Sequence, residues 1–157
     1  MSRLKESFVA DAVLRVRIYS GEVETSSAVA FGLAMGRRGN GGRVAVVRFL
    51  RPETSGEAES AVRLGIDVFP SDLRVDGRSS ADKGWRTAVD LLEARDHDLV
   101  VLDGLLDAVE AGFIPLADVV TLLEAGFPVE LVLTGRKAPV ELVKRADAVV
   151  EMLDIKH

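Results

Sequence analysis

The 157-residue chain has no cysteine, no glutamine, one asparagine (Asn40) and two histidines, His97 and His157. Without cysteine there can be no disulfide, no thiolate metal ligand and no cysteine nucleophile. Two imidazoles far apart in sequence leave little material for a two-histidine metal site or a Ser-His-Asp triad. The scarcity of thermolabile amides suits a hot environment, and a GC-rich genome would give the same Ala, Val, Arg and Gly bias. No apolar run approaches the length of a membrane span, and residues 1–12 lack the apolar core of a signal peptide. No basic tract offsets the formal net charge of −5. General affinity for nucleic acid or an anionic membrane is therefore not expected. Together these absences predict a cytoplasmic protein.

What is present is ordinary for a globular protein: 48% hydrophobic and 29% charged residues. The length suits one domain spanning residues 1–157. Strand-like runs at residues 13–19, 43–49, 66–69, 98–103, 128–134 and 148–152 alternate with helical patterns at 27–38, 61–64, 80–92, 115–125 and 138–145. Residues 52–60 and 70–79 read as polar loops. In the third helix Trp85, Ala88, Val89 and Leu92 form one apolar stripe, with Ser79 or Ser80 available as its N-cap. The strand runs are nearly continuously apolar, as in a sheet covered on both faces. This alternation predicts an α/β fold, a mostly parallel sheet with helices on both faces in three α/β/α layers.

Ligands of such folds sit at the carboxyl ends of the strands. Three segments converge there: residues 20–28, Asp103-Gly104, and Thr134-Gly135-Arg136. A nucleotide loop needs glycines, a lysine for the terminal phosphates and a Ser/Thr hydroxyl for magnesium; a second strand supplies an Asp for the same ion. Gly21, the Ser26 and Ser27 hydroxyls and Asp103 answer to that description. The loop has no lysine, and it carries Glu22 and Glu24. Taken alone, the same residues also read as an N-capped helix after a turn, with Asp103 capping the next one.

Over most of its length, from about Arg15 onward, the chain resembles the ATP:corrinoid adenosyltransferase family, the RecA-like P-loop type. The resemblance rests on Tyr19-Ser20-Gly21, Ala30-Phe31-Gly32-Leu33-Ala34, Arg43-Val44-Ala45-Val46-Val47-Arg48-Phe49-Leu50, Asp98-Leu99-Val100-Val101-Leu102-Asp103, Leu131-Val132-Leu133-Thr134-Gly135-Arg136, Ala138-Pro139, Ala146-Asp147, Glu151-Met152 and Ile155-Lys156-His157. It implies a homodimer that binds Mg-ATP and transfers the 5′-deoxyadenosyl group to the Co(I) of a reduced corrinoid, releasing triphosphate. By position, Gly21, Glu22, Thr25, Ser26, Ser27, Ala28 and Arg136 would lie along the nucleotide, and Ser27 and Asp103 would hold magnesium.

The family loop reads Gly-Asn-Gly-Lys-Gly-Lys-Thr-Thr. Laid on it, Gly21 matches the first Gly and Ser27 the magnesium Thr. Glu22 then replaces Asn, Val23 a Gly, Glu24 a Lys, Thr25 a Gly, Ser26 the phosphate Lys, and Ala28 the second Thr. Asp103 is followed by Gly104 where the family has Glu. Phe69-Pro70-Ser71-Asp72-Leu73-Arg74 stands where the family has Thr-Gly-Phe-Thr-Trp near the corrinoid. Losing the loop's two lysines and gaining Glu22 and Glu24 swings four charges beside a polyanion. Each unit pair is worth roughly 3 kcal/mol at about 5 Å and an effective dielectric near 20. Val23 and Thr25 are β-branched and resist the positive φ that glycine permits. Arg48 and Arg51, where the family commonly has Gln and Lys, are candidates for restoring positive charge. Three readings follow: a divergent transferase, a non-catalytic relative serving as a binding or regulatory partner, and a subunit whose active copy is another chain.

Overall fold

The computed structural model describes residues 15–52 and 55–156. Six strands, β1 (Val16–Ser20), β2 (Val44–Arg48), β3 (Asp67–Phe69), β4 (Leu99–Asp103), β5 (Glu130–Gly135) and β6 (Ala148–Glu151), form one sheet in the order β3-β2-β4-β5-β1-β6. Every pairing is parallel. The helices are α1 (Val23–Gly39), α2 (Gly56–Arg63), α3 (Gly77–Ala94), α4 (Leu105–Glu110), α5 (Leu116–Ala125) and α6 (Val140–Val143).

Strand side chains alternate between the two faces, and each face has its own core. Val44, Val46, Leu99, Val101 and Val132 pack with Ala30, Phe31 and Ala34 of α1 and Ala58 and Ala61 of α2. Ile18, Val47, Val100, Leu102, Leu131 and Leu133 pack on the opposite side with α3, α4, α5 and α6, through Ala88, Leu92, Leu105, Val119 and Leu142. The expected three-layer α/β/α arrangement is therefore present. The neighbouring strands β2 and β4 are buried at every position, which explains their apolar runs ahead of the terminal Arg48 and Asp103. Trp85 is half-buried against the second core.

Several boundaries differ from those the sequence suggests, each for a local reason. The first helix begins at Val23, one turn before the expected Ser27. α2 begins at Gly56, inside the stretch read as a loop, because the Ser55 hydroxyl caps it by accepting from the Ala58 N–H at 3.1 Å. α3 begins at Gly77, and its cap is Asp76 rather than Ser79 or Ser80. The Asp76 carboxylate accepts from the Ser79 N–H at 2.8 Å and from its hydroxyl at 3.0 Å. α4 was not anticipated; it follows Gly104, whose φ of +89° turns the chain directly out of β4. The last helix is a single turn, α6, instead of residues 138–145. Of the first strand, positions 13 and 14 lie outside the described residues.

Candidate functional site

The carboxyl ends of β1, β2, β4 and β5 face the start of α1, the turn after β2 and α4. β1 stops at Ser20 and α1 starts at Val23, so only Gly21 and Glu22 connect them. The Gly21 N–H donates to the Gly135 carbonyl at 2.9 Å, and a Cβ at Gly21 would lie 2.9 Å from the Met152 carbonyl oxygen. That close approach is what position 21 requires of glycine. Glu22 is the N-cap by backbone, without a capping side-chain bond, and the Ser26 N–H already donates to the Glu22 carbonyl at 2.9 Å.

Residues 23–26, where the sequence suggests a wide phosphate-gripping loop, therefore form the first turn of a helix. Side-chain chemistry favours this outcome. Val23 and Thr25 avoid left-handed backbone, and carboxylates at the positive end of a helix are stabilising. Glu22, Glu24, Thr25 and Ala28 are exposed, whereas Ser26 and Ser27 are buried. The Ser26 hydroxyl folds back on the Val23 carbonyl at 3.2 Å. Beside this turn lies a cavity of about 280 Å³ lined by Glu22, Thr25, Met152, Leu153 and Asp154, two of them carboxylates and none cationic.

Below that turn, five of the residues singled out from sequence meet in one buried cluster. Asp103, fully buried, accepts from the Ser27 hydroxyl, which lies 2.9 Å from Oδ1 and 3.1 Å from Oδ2, and from the Thr134 hydroxyl at 2.8 Å. Arg48 Nε donates to Asp103 Oδ2 at 3.3 Å, and its guanidinium lies 5.2 Å from the centre of the Phe31 ring. Arg51 Nε donates to the Ser27 hydroxyl oxygen at 3.3 Å and stands 3.9 Å from Asp103 Oδ1, while its Nη1 donates to Asp107 Oδ2 at 2.9 Å. Both arginines are buried, at 4% and 3% exposure. Two guanidiniums and two carboxylates balance, so the cluster is buried with no net charge.

Arg136 stands at the rim of the same cluster. Its N–H donates to Asp107 Oδ1 at 2.9 Å, and its side chain is 67% exposed with Nε 3.7 Å from that oxygen. Sequence reading missed Asp107, which joins Arg51 to Arg136. The available signal was its place four residues after Asp103, the single polar side chain in an otherwise apolar run from Leu105 to Val109. Once a helix starts at Leu105, that residue faces back to the strand end.

The donor set does not fit a magnesium ion as it stands. Magnesium takes oxygen ligands at 2.0–2.1 Å in octahedral geometry. Here the Ser27 oxygen and both Asp103 oxygens are engaged by protein donors. Each added positive charge beside a guanidinium at 4 Å costs about 4 kcal/mol at an effective dielectric near 20. Among the described residues no three His, Asp or Glu side chains are grouped as metal ligands.

Two other features lie outside the cluster, the first adjoining it through Ser71. Phe69, Pro70, Ser71 and Asp72, the segment after β3, line a cleft of about 260 Å³ with Lys83 of α3. Asp72 bonds Arg74 at 3.0 Å and Lys83 at 3.3 Å, and the Arg74 guanidinium above all holds its carboxyl well below the usual range. His97 pairs with Asp67 at 2.8 Å at the amino ends of β3 and β4, the far side of the sheet; His157 lies outside the described residues.

Comparison with known proteins gives the lineage. The sequence profile of the ATP:corrinoid adenosyltransferases BtuR/CobO/CobP matches residues 14–157. The chain belongs to this family. It is 30% identical over 156 residues to the corrinoid adenosyltransferase of Pseudomonas aeruginosa, covering 89% of this chain and 75% of that one. To the corrinoid adenosyltransferase of a Sinorhizobium species it is 29% identical over 154 residues, covering 89% and 72%. To that of Escherichia coli K12 it is 26% identical over 150 residues, covering 89% and 76%. Among the described residues no helix is long and apolar enough to cross a membrane. Within the family scaffold, Ser27 and Asp103 are adjacent, Arg136 is at the rim, and Gly21 to Ser26 make a tight turn and a helical start.

Proposed function

We propose that this chain is a non-catalytic member of the corrinoid adenosyltransferase family, acting as a binding or regulatory partner rather than transferring adenosyl groups itself. One observation carries the reading: α1 starts two residues after β1, so residues 23–26, which would wrap a triphosphate, are helical and present Glu22 and Glu24 to solvent. A helix N-terminus favours an anion by only about 1 kcal/mol. The two carboxylates oppose one by more than that. Arg48 and Arg51, the candidates for replacing the family's phosphate lysine, are instead buried on Asp103 and Asp107. On this reading the chain works as one domain and as a homodimer in the cytoplasm, with no nucleic acid and no membrane partner, and any corrinoid it takes is bound without Mg-ATP.

The test is direct. Purified protein mixed with Mg-ATP and chemically reduced corrinoid is followed through the cobalt absorbance, and Mg-ATP is titrated at millimolar concentration by calorimetry. The expected results are no turnover above background and no binding heat. A second reading, a divergent transferase, is favoured by the 2.9 Å contact of Ser27 with Asp103, the pair that would flank magnesium. It requires the first turn of α1 to unwind and Arg51 to withdraw, and measured turnover would replace the first reading with it.

A further inference from the structure

The turn after β2 is built to deliver a cation to Asp103. Phe49 remains in register, its N–H donating to the Asp103 carbonyl at 2.8 Å. Leu50 then adopts a left-handed φ of +52°, which a branched apolar residue occupies only when its surroundings impose it. This reversal folds Arg51 back over the strand ends. The Ser71 hydroxyl locks it there, accepting from the Arg51 N–H at 3.2 Å and donating to the Arg48 carbonyl at 3.1 Å. Gly104 completes the seat. A Cβ at that position would run into the Phe49 carbonyl oxygen and lie 2.9 Å from the Arg51 guanidinium carbon.

We propose that Arg51 is the resident cation of this family member's carboxylate cluster, standing between Ser27, Asp103 and Asp107 so that the native chain takes no divalent ion there. The guanidinium supplies to two buried carboxylates the fixed positive charge that a metal would otherwise provide, and it adds hydrogen bonds to Ser27 and Asp107. Its Nη2, buried with no hydrogen-bond partner among the described residues, is the donor left over when a planar fork does this work. Strap and glycine depend on each other. A glutamate at position 104 would expel Arg51, and with Arg51 in place only glycine fits.

This inference deepens the proposed function and is tested without nucleotide, so its failure and the failure of that reading are told apart. Thermal unfolding of the native protein is compared in EDTA and in millimolar manganese, with manganese binding followed by electron paramagnetic resonance. The native protein and Arg51→Lys are expected to show no shift and no bound manganese. Arg51→Met, which frees Asp107 and the Ser27 oxygen and takes one of two guanidiniums away from Asp103, is expected to bind manganese. At a hundredfold excess over the dissociation constant its folded-to-unfolded ratio should rise about a hundredfold. Adding Asp103→Asn to that variant should abolish the response. Manganese binding by the native protein that Asp103→Asn removes would overturn the proposal. So would an Arg51→Met protein, whether folded or poorly folded alone, that gains nothing from manganese.

Discussion

Position 104 has room for nothing beyond hydrogen: its φ of +89° and the Phe49 carbonyl oxygen both exclude a side chain. Replacing Gly104 by Ala should therefore destabilise the protein by about 1–3 kcal/mol, read from the urea midpoint at unchanged slope. Gly104→Glu, which restores the residue the family has after its Asp, should cost more. The larger side chain must displace Arg51, not merely strain the backbone. A neutral result for either substitution would mean that residues 49–51 move freely. The same geometry gives a physical reason for a departure that the sequence shows only as a mismatch. Gly104 is what the left-handed backbone and the Phe49 carbonyl require, with the buried arginine packed against the same position.

The start of α1 gives the corresponding lesson for an element. Single substitutions that rebuild the nucleotide loop residue by residue act on a helix, not on a loop. Ser26 is fully buried, so Ser26→Lys places an unpaired amine in the core. A stability loss on the order of 3 kcal/mol is expected, with no ATP binding by calorimetry. Binding by that single variant would show that the lysine alone was missing. The first turn of α3 behaves differently because its cap ionises. Asp76 is held below its ordinary value of 3.8 by the Ser79 N–H and hydroxyl. A depressed folded pKa means that the contribution is complete above 3.8 and is lost as pH falls toward the folded value. Amide exchange in the first turn of α3 should therefore quicken relative to the helix centre below about pH 4, and Asp76→Ala should remove that pH dependence.

These two helix starts also show what the sequence could and could not reveal. The strands were readable because β2 and β4 are apolar up to the charged residue that ends each, Arg48 and Asp103, and the centre of α3 because its stripe recurs at helical spacing. Boundaries were less readable. Ser55 and Asp76 cap helices whose first residues are polar and carry no periodic signal. α4 follows its strand with a single intervening glycine. At the site, residue types were legible, and Ser27, Asp103, Arg48 and Arg51 do meet. Their mutual arrangement was not legible, because it depends on Leu50 adopting a conformation that its side chain disfavours.

At the scale of the molecule, Asp103 ties together elements distant in sequence. Its carboxylate is bonded by α1 through Ser27, by β2 through Arg48 and by β5 through Thr134, and Arg51 carries the connection to α4 through Asp107. Ser27 belongs to the layer of helices on one face of the sheet and Asp107 to the layer on the other. Breaking this node should therefore loosen both layers together rather than fray one edge. Asp103→Asn leaves two buried guanidiniums facing one carboxylate, which should cost about 3–5 kcal/mol. The whole of that loss is expected in global unfolding. Hydrogen exchange should show the amides of Val46, Val101 and Val132 losing protection by the same factor, equal to the change in denaturant stability. Protection lost only around residues 48–51, with the central strands unchanged, would mean that the cluster secures its own turn and nothing further. Equal loss across three strands and both layers would identify one buried carboxylate as the point where the carboxyl edge of the sheet is joined.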